Sequence, residues 1–393
     1  MTQLGREAVI VEAVRTPVGR GHPEKGALRD VHPADLLGRV YVAVLERAGV
    51  DPAQVDNVIA GCVYQAGEQA QGISRNAWLQ KGLPQETGAT TLDVRCGSGQ
   101  QAIGFGALRI AGGIDDVVIG AGVEHMGRVG FRVNDGAQEQ WGRGFTEELL
   151  DRWPLVPQGE GAELLADEYG IDRAQMDAFA LESHRRAAAA ADGGAFDREL
   201  LPVELPDGTT VTRDQGIRPD TTLDALGGLK PVFRADGRVT AGNSSQVSDG
   251  AAAVLLCSRE KAEQLGLRPR ARIVDQVTLG VDPVTMLKGP IPATRKILER
   301  NGLEIGDLDA IEVNEAFASV VLAWEREHRP DMTRVNPRGG AIALGHPLGS
   351  TGARLTTTLL HELEDLDGRY GLVTMCCGGG IGTATLIERL GGD

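Results

Sequence analysis

Four separated segments carry residue types that could do covalent chemistry: Cys96 in RCGSGQ, Asn314 in NEAFA, His346 in GGAIALGHPLGS and Cys376 in CCGGGIG. Small residues surround each of them. Cys96 follows a strand-like run and precedes a helical one. A helix N-terminus offers unpaired N–H groups and the positive end of the helix dipole, and both favour a thiolate. Gly97 and Gly99 leave room for a thioester to reach the sulfur and the backbone. His346 lies between Gly345 and Pro347, where a histidine can deprotonate a thiol or donate to a developing enolate oxygen. Cys376 opens a glycine run whose N–H groups can form an anion-binding nest. A second thiol there could exchange a proton with a substrate carbon or sulfur. Asn314 stands where AIEV ends, and its amide can hold a water or a carbonyl oxygen.

Each of these residues also has a bland reading. A cysteine can be inert core filler, a histidine in a tight turn can make one structural hydrogen bond, and an asparagine at a strand end can cap a helix. Cys62, Cys257 and Cys377 are expected to be core of that kind. Taken together, a nucleophile, a base and donors for two oxyanions form the minimum kit for acyl transfer with carbon–carbon cleavage.

The elements that must position this kit alternate between strand and helix. AVIVEAV (8–14), VDNVIAGCV (55–63), ATTLDVRC (89–96) and DDVVIGAG (115–122) read as buried strands, with ATTLDVRC running into Cys96. Residues 97–113 read as a helix ended by glycines. Periodicity weakens over 124–160, which is expected to be an excursion of loops, and a helix over 176–194 follows. The stretch 200–250 is rich in turn residues. GAAAVLLCS (250–258) is expected to return to the first sheet. The second half repeats the rhythm. It has a strand at 271–281, a helix over 289–303, a strand into a helix over 308–327, a helix over 349–365 and a hairpin over 370–390. Such alternation argues for an α/β fold with a largely buried sheet covered on both faces. The repeat suggests an internal duplication.

With 393 residues the chain can build two or three cores. Glycine is abundant, at 54 residues, while aromatics are only 4%, so the core must rely on Ala, Val, Leu and Ile. A net charge of -15 argues against nonspecific nucleic-acid binding, which needs a positive field. Five cysteines without a CxxC pair, and histidines that do not cluster with them, predict neither a disulfide scaffold nor structural zinc. The chain is expected to work in the cytoplasm, with no leader segment and no membrane span.

On these residues the chain resembles the thiolase family. CGSG at Cys96, NEAFA at 314–318, GGAIALGHPLGSTGAR at 339–354 and CCGGGIG at 376–382 match the family's signature blocks in order. AGNSSQVSDGAAA at 241–253 and RPDTT at 218–222 add to the match. The resemblance implies a duplicated αβαβα five-layer fold with an inserted loop domain. An N-terminal half would span 1–123 and 249–269, the inserted loop domain 124–248, and a C-terminal half 270–393. It also implies a scheme. Cys96, activated by His346, attacks the 3-keto carbonyl of a 3-oxoacyl-CoA. Cys376 protonates the departing acetyl-CoA enolate and then deprotonates the incoming CoA. One oxyanion site would use His346 and a water held by Asn314, and the other the N–H groups of Cys96 and Gly378. Arg218 and Ser245 would line the CoA groove, with Met286 near the acyl pocket. No cofactor is implied beyond coenzyme A as co-substrate. A homodimer or homotetramer is implied, with a β-oxidation hydratase/dehydrogenase as a candidate partner.

One segment departs from the biosynthetic, short-chain pattern of the resemblance. Pro157-Gln158 stands where those members carry His-Met. That departure favours a degradative 3-ketoacyl-CoA thiolase of fatty-acid or related lipid breakdown over a biosynthetic acetoacetyl-CoA thiolase. Condensing synthases share the fold but use Cys-His-His or Cys-His-Glu/Asn sets, and the paired Cys96 and Cys376 argue against them. Reactive residues at all four positions argue against a non-catalytic lipid carrier.

Overall fold

The computed structural model describes residues 5–130 and 133–391. Its backbone is one large mixed sheet. Across it the strands run Ala310–Val313, Tyr370–Cys377, Ile381–Arg389, Ala271–Gly280, Ala8–Arg15, Ser248–Ser258, Val117–His125, Asn57–Gly61 and Gly88–Leu92, with the short strand Gly19–Arg20 beside Ser248–Ser258. The two halves repeat each other in pairing as well as in rhythm. In the first, Asn57–Gly61 pairs parallel with both Gly88–Leu92 and Val117–His125, and the latter pairs antiparallel with Ser248–Ser258. In the second, Ala310–Val313 pairs parallel with Tyr370–Cys377, which pairs antiparallel with Ile381–Arg389. A single parallel bridge, Ile311 to Val335, stands where the first half has the strand Gly88–Leu92.

Two helices lie between the halves, Ser98–Ala111 from the first and Leu348–Asp365 from the second. They occupy equivalent places in the repeat, each just before the strand that pairs parallel with its half's first strand of that type. Pro33–Ala48 covers the outer face of one half and Pro290–Asn301 that of the other, giving the α-β-α-β-α layering. Local sequence explains their ends. His32 accepts from the Ala34 N–H, Pro33 occupies the first turn, and Gly49 ends the helix at φ 68°, a conformation glycine adopts without a Cβ penalty. Pro290 likewise opens the outer helix of the second half, and Gly302 closes it at φ 64°.

The central layer depends on close backbone approach. A Cβ on Gly122 would lie 2.0 Å from the Gly349 carbonyl oxygen, so only glycine lets the strand Val117–His125 touch the start of the second central helix. Every residue of that strand is buried, as the run VVIGAGVEH predicts for a strand covered on both faces.

Two expectations need correction. The strand before Cys96 ends at Leu92, four residues short of the cysteine. The Asp93 carboxylate accepts from the Arg95 N–H at 2.7 Å, and Ser98 Oγ accepts from the Val94 N–H at 2.8 Å while donating to the Arg95 carbonyl at 2.6 Å. These side-chain bonds replace the sheet ladder and fold the segment into a turn. Arg95 adopts φ 52° there, in the left-handed region, so Cys96 is presented from a constrained turn. The excursion after residue 124 also holds two short helices, Val133–Trp141 and Glu147–Arg152. Residues 136–149 are exposed in the chain, so no buried face imposes a 3.6-residue apolar period that a reader of the sequence could detect.

Candidate active site

Cys96 sits one residue before the cap of the first central helix, and His346 two residues before the start of the second. Cys376 lies near the end of the strand Tyr370–Cys377. The chain therefore brings three chemical side chains from three elements to one place. Cys96, His346, Cys376 and Gly378 all line one cavity of about 400 Å³. Ser245 lines it as well, with Met126, Gln158, Phe233, Leu287, Phe317 and Leu348 among the other walls.

Burial controls the proton affinities. The Cys96 thiol is 4% exposed, and burial pushes its pKa up to about 11 despite N–H groups of Gly378 and of Cys96 itself that favour the thiolate. His346 is pulled down to about 3 by burial and then by the positive charge of Arg354. Thiol and imidazole are thus both neutral at rest. The Cys376 thiol is raised by burial, and a negative charge on Cys96 raises it further. The two sulfurs are therefore near enough to sense each other's charge, and both are free thiols.

The imidazole is held on several sides. Its backbone N–H meets Ser248 Oγ at 3.0 Å and the Gln246 carbonyl at 3.2 Å. Asn314 Nδ2 lies 3.4 Å from Nε2, and Thr351 Oγ1 lies 2.6 Å from Nδ1. Asn314 is fully buried behind His346, and its Oδ1 has no protein partner.

The sequence matches the family model "Thiolase, N-terminal domain" over residues 8–260 and "Thiolase, C-terminal domain" over 267–389. The chain belongs to the thiolase family. It is 47% identical over 392 residues to a steroid 3-ketoacyl-CoA thiolase of Mycobacterium tuberculosis, covering 98% of this chain and 94% of that one. It is 45% identical to a beta-ketoadipyl-CoA thiolase of Pseudomonas aeruginosa, covering 98% of this chain and 100% of the relative. Among solved structures, human mitochondrial 3-ketoacyl-CoA thiolase in complex with CoA superposes with a TM-score of 0.89 at 38% identity, over 98% of this chain and 99% of that one. The Bacillus anthracis acetyl-CoA acetyltransferase superposes with a TM-score of 0.90 at 40% identity, over 99% and 100%. This thiolase is an acyltransferase that uses coenzyme A to cleave 3-oxoacyl-CoA thioesters.

Not every residue singled out in the sequence reaches the cavity. Arg218 of this thiolase is exposed and is absent from the cavity wall; its N–H donates to His184 Nδ1 at 3.2 Å. Met286 is buried in the core of the second half, and its neighbour Leu287 lines the cavity instead. Cys62, Cys257 and Cys377 are buried in the cores of the sheet.

The structure also supplies residues that the sequence did not flag. Glu124 is fully buried, and its carboxylate accepts from the Val63, Tyr64 and Gly349 N–H groups and from Gln69 Nε2, at 2.8 to 3.1 Å. It ties the first half to the turn that carries His346. An acidic residue inside an otherwise apolar strand was the available signal. Gln158, marked in the sequence only as a departure from the short-chain pattern, packs its amide against the backbone of Gly378. Thr351 was legible only as the hydroxyl five residues after a histidine.

Proposed function

We propose that this thiolase works in the degradative direction on 3-oxoacyl-CoA substrates with acyl chains longer than acetoacetyl. The observation that carries the reading is that both thiols and His346 open onto an apolar cavity of about 400 Å³, whose walls include Met126, Val232, Phe233, Leu287, Phe317 and Leu348. Apolar walls of that extent reward an alkyl or ring substituent by roughly 0.8 kcal/mol per buried methylene. An acetoacetyl group offers them only one methyl beyond its 3-keto carbon. The names of the relatives agree, since they include a steroid 3-ketoacyl-CoA thiolase and a 3-ketoacyl-CoA thiolase.

In the proposed reaction the Cys96 thiol gives its proton to His346 Nε2 as the sulfur attacks the 3-keto carbon. The oxygen of that carbonyl is received by the N–H groups of Cys96 and Gly378. The bond between the α and β carbons breaks, and the electron pair becomes the enolate of acetyl-CoA. Its oxygen is met by protonated His346 and by a water on Asn314, and its carbon takes the proton of Cys376. The Cys376 thiolate then removes the proton from an incoming CoA thiol. The CoA sulfur takes the acyl group from Cys96, whose sulfur leaves as a thiolate and recovers its proton from His346. Each proton lent is returned, and no redox step is needed.

Ser245 reaches the cavity, which supports a contact with the pantetheine arm, while the surface around exposed Arg218 would meet the nucleotide end of CoA. The segment 124–248 supplies Met126, Gln158, Phe233 and Ser245 to the wall, which supports its role as the substrate-covering insertion. We also assign the protein to the cytoplasm, as a homodimer or homotetramer. Free buried cysteines support the former, and exposed Trp141, Phe145 and Trp153 on the insertion support contact with a second copy. Among the described residues no helix is long and apolar enough to cross a membrane. A hydratase/dehydrogenase partner would be the upstream supplier of a 3-oxoacyl-CoA.

The test is steady-state thiolysis across 3-oxoacyl-CoAs from four carbons to steroid-sized. The reading predicts kcat/KM rising beyond four carbons. Activity confined to acetoacetyl-CoA would instead favour a biosynthetic acetyl-CoA acetyltransferase, a class also represented among similar structures.

A further inference from the structure

His346 needs more than burial to serve as a base. A neutral imidazole carries one proton, and only the nitrogen without it can accept another. The nitrogen facing the Asn314 side of the site is Nε2, 3.4 Å from the Asn314 amide nitrogen. Nδ1 faces away, 2.6 Å from Thr351 Oγ1. Thr351 lies on the first turn of the helix Leu348–Asp365, and its hydroxyl is 2.8 Å from the Pro347 carbonyl oxygen.

A carbonyl oxygen can only accept. The single hydroxyl proton of Thr351 therefore belongs on the bond to Pro347, since otherwise two oxygen lone pairs would face each other at 2.8 Å in a dry environment. With that proton committed, Thr351 Oγ1 can only accept from His346, so the imidazole proton sits on Nδ1. We propose that Thr351 is the positioning residue that holds His346 in the Nδ1–H tautomer and leaves the Nε2 lone pair to accept the Cys96 proton. The inference rests on the reading of His346 as the base.

The same contact fixes the ring's rotation. The His346 backbone is already held through Ser248 Oγ and Gln246, and the Nδ1 bond removes the remaining freedom about the side-chain torsions. After proton transfer the imidazolium still has an acceptor for Nδ1–H, and Nε2–H becomes a donor for the enolate oxygen. Thr351 thus serves both the base and the acid form of the ring without touching substrate. It is fully buried and lies outside the cavity wall.

Three variants and one spectrum test the assignment. Thr351→Val keeps the branched shape and removes the oxygen. It should lower kcat for thiolysis by roughly 10- to 100-fold, the scale of losing the hydrogen-bond partner that orients a metal-bound histidine, with little change in KM. Thr351→Ser keeps the oxygen and should recover most of that loss. A Thr351→Val enzyme with unchanged kcat would overturn the proposal. So would a Thr351→Ser enzyme as impaired as Thr351→Val, because that outcome points to packing alone. In wild-type protein, ¹⁵N-histidine spectra, with the His346 signals assigned from His346→Asn, should show the proton on Nδ1. A proton on Nε2 would overturn the proposal whether or not the valine variant folds. Full activity in His346→Asn would instead remove the role of His346 itself, and the inference with it.

Discussion

The backbone N–H of Gly378 favours a negative charge on the sulfur of Cys96, so a residue from the second half of the chain tunes a thiol carried by the first. Neither half has both parts. The duplicated sheet supplies the reason: its equivalent central helices meet back to back, and the reactive turns at their N-terminal ends are brought to one cavity.

Asn314 tests the first oxygen site. Asn314→Ala removes the amide beside His346 Nε2 and should cost on the order of 10²-fold in kcat, the scale of a lost oxyanion donor, with KM little changed. The check is steady-state thiolysis with circular dichroism to confirm the fold. A raised KM at constant kcat would place Asn314 in ground-state binding instead.

The pH dependence follows from the neutral Cys96–His346 pair. With the imidazole pulled down to about 3 and the thiol pushed up to about 11, the reactive form persists between those limits. As pH falls, an ordinary histidine would protonate near 6.5 and the base would be lost there. Here kcat/KM for the 3-oxoacyl-CoA should stay level down through that range. This ratio reports the first half-reaction, so the titration of free CoA does not enter. An acid limb centred near 6.5 would contradict the burial argument.

Much of this site was legible because its residues combine reactivity with glycine. Cys96, His346, Cys376 and Gly378 sit where tight turns and backbone approach leave a signature in sequence, and the structure gathers them at one cavity. The strand–helix alternation was legible because fully buried strands such as Val117–His125 read as unbroken apolar runs. The turn before Cys96 was not, because the bonds of Asp93 and Ser98 to the backbone override a good strand pattern. Met286 and Leu287 show a second limit. Both are apolar neighbours, and only the backbone turn, with Met286 at φ 29°, decides which faces the cavity. Arg218 stands apart from both, on an exposed surface outside the cavity, where no burial leaves a pattern in the sequence.

Gly122 tests the link between architecture and chemistry. A methyl group there would meet the Gly349 carbonyl at 2.0 Å and push on the helix whose first turn holds Thr351, next to His346. Gly122→Ala should destabilise the fold by about 1–3 kcal/mol, the usual cost of overpacking, and lower kcat in the protein that remains folded. Chemical denaturation and activity per folded protein read the two effects separately. Wild-type stability and activity together would show that the close approach is dispensable.

The central claim is that Cys96 carries the acyl group. Incubation with a 3-oxoacyl-CoA in the absence of free CoA, followed by intact and peptide mass spectrometry, reads it directly. The account predicts one acyl group per chain, lacking the two carbons released as acetyl-CoA, on the peptide containing Cys96 and missing in Cys96→Ala. An adduct on Cys376, or turnover by Cys96→Ala, would contradict it.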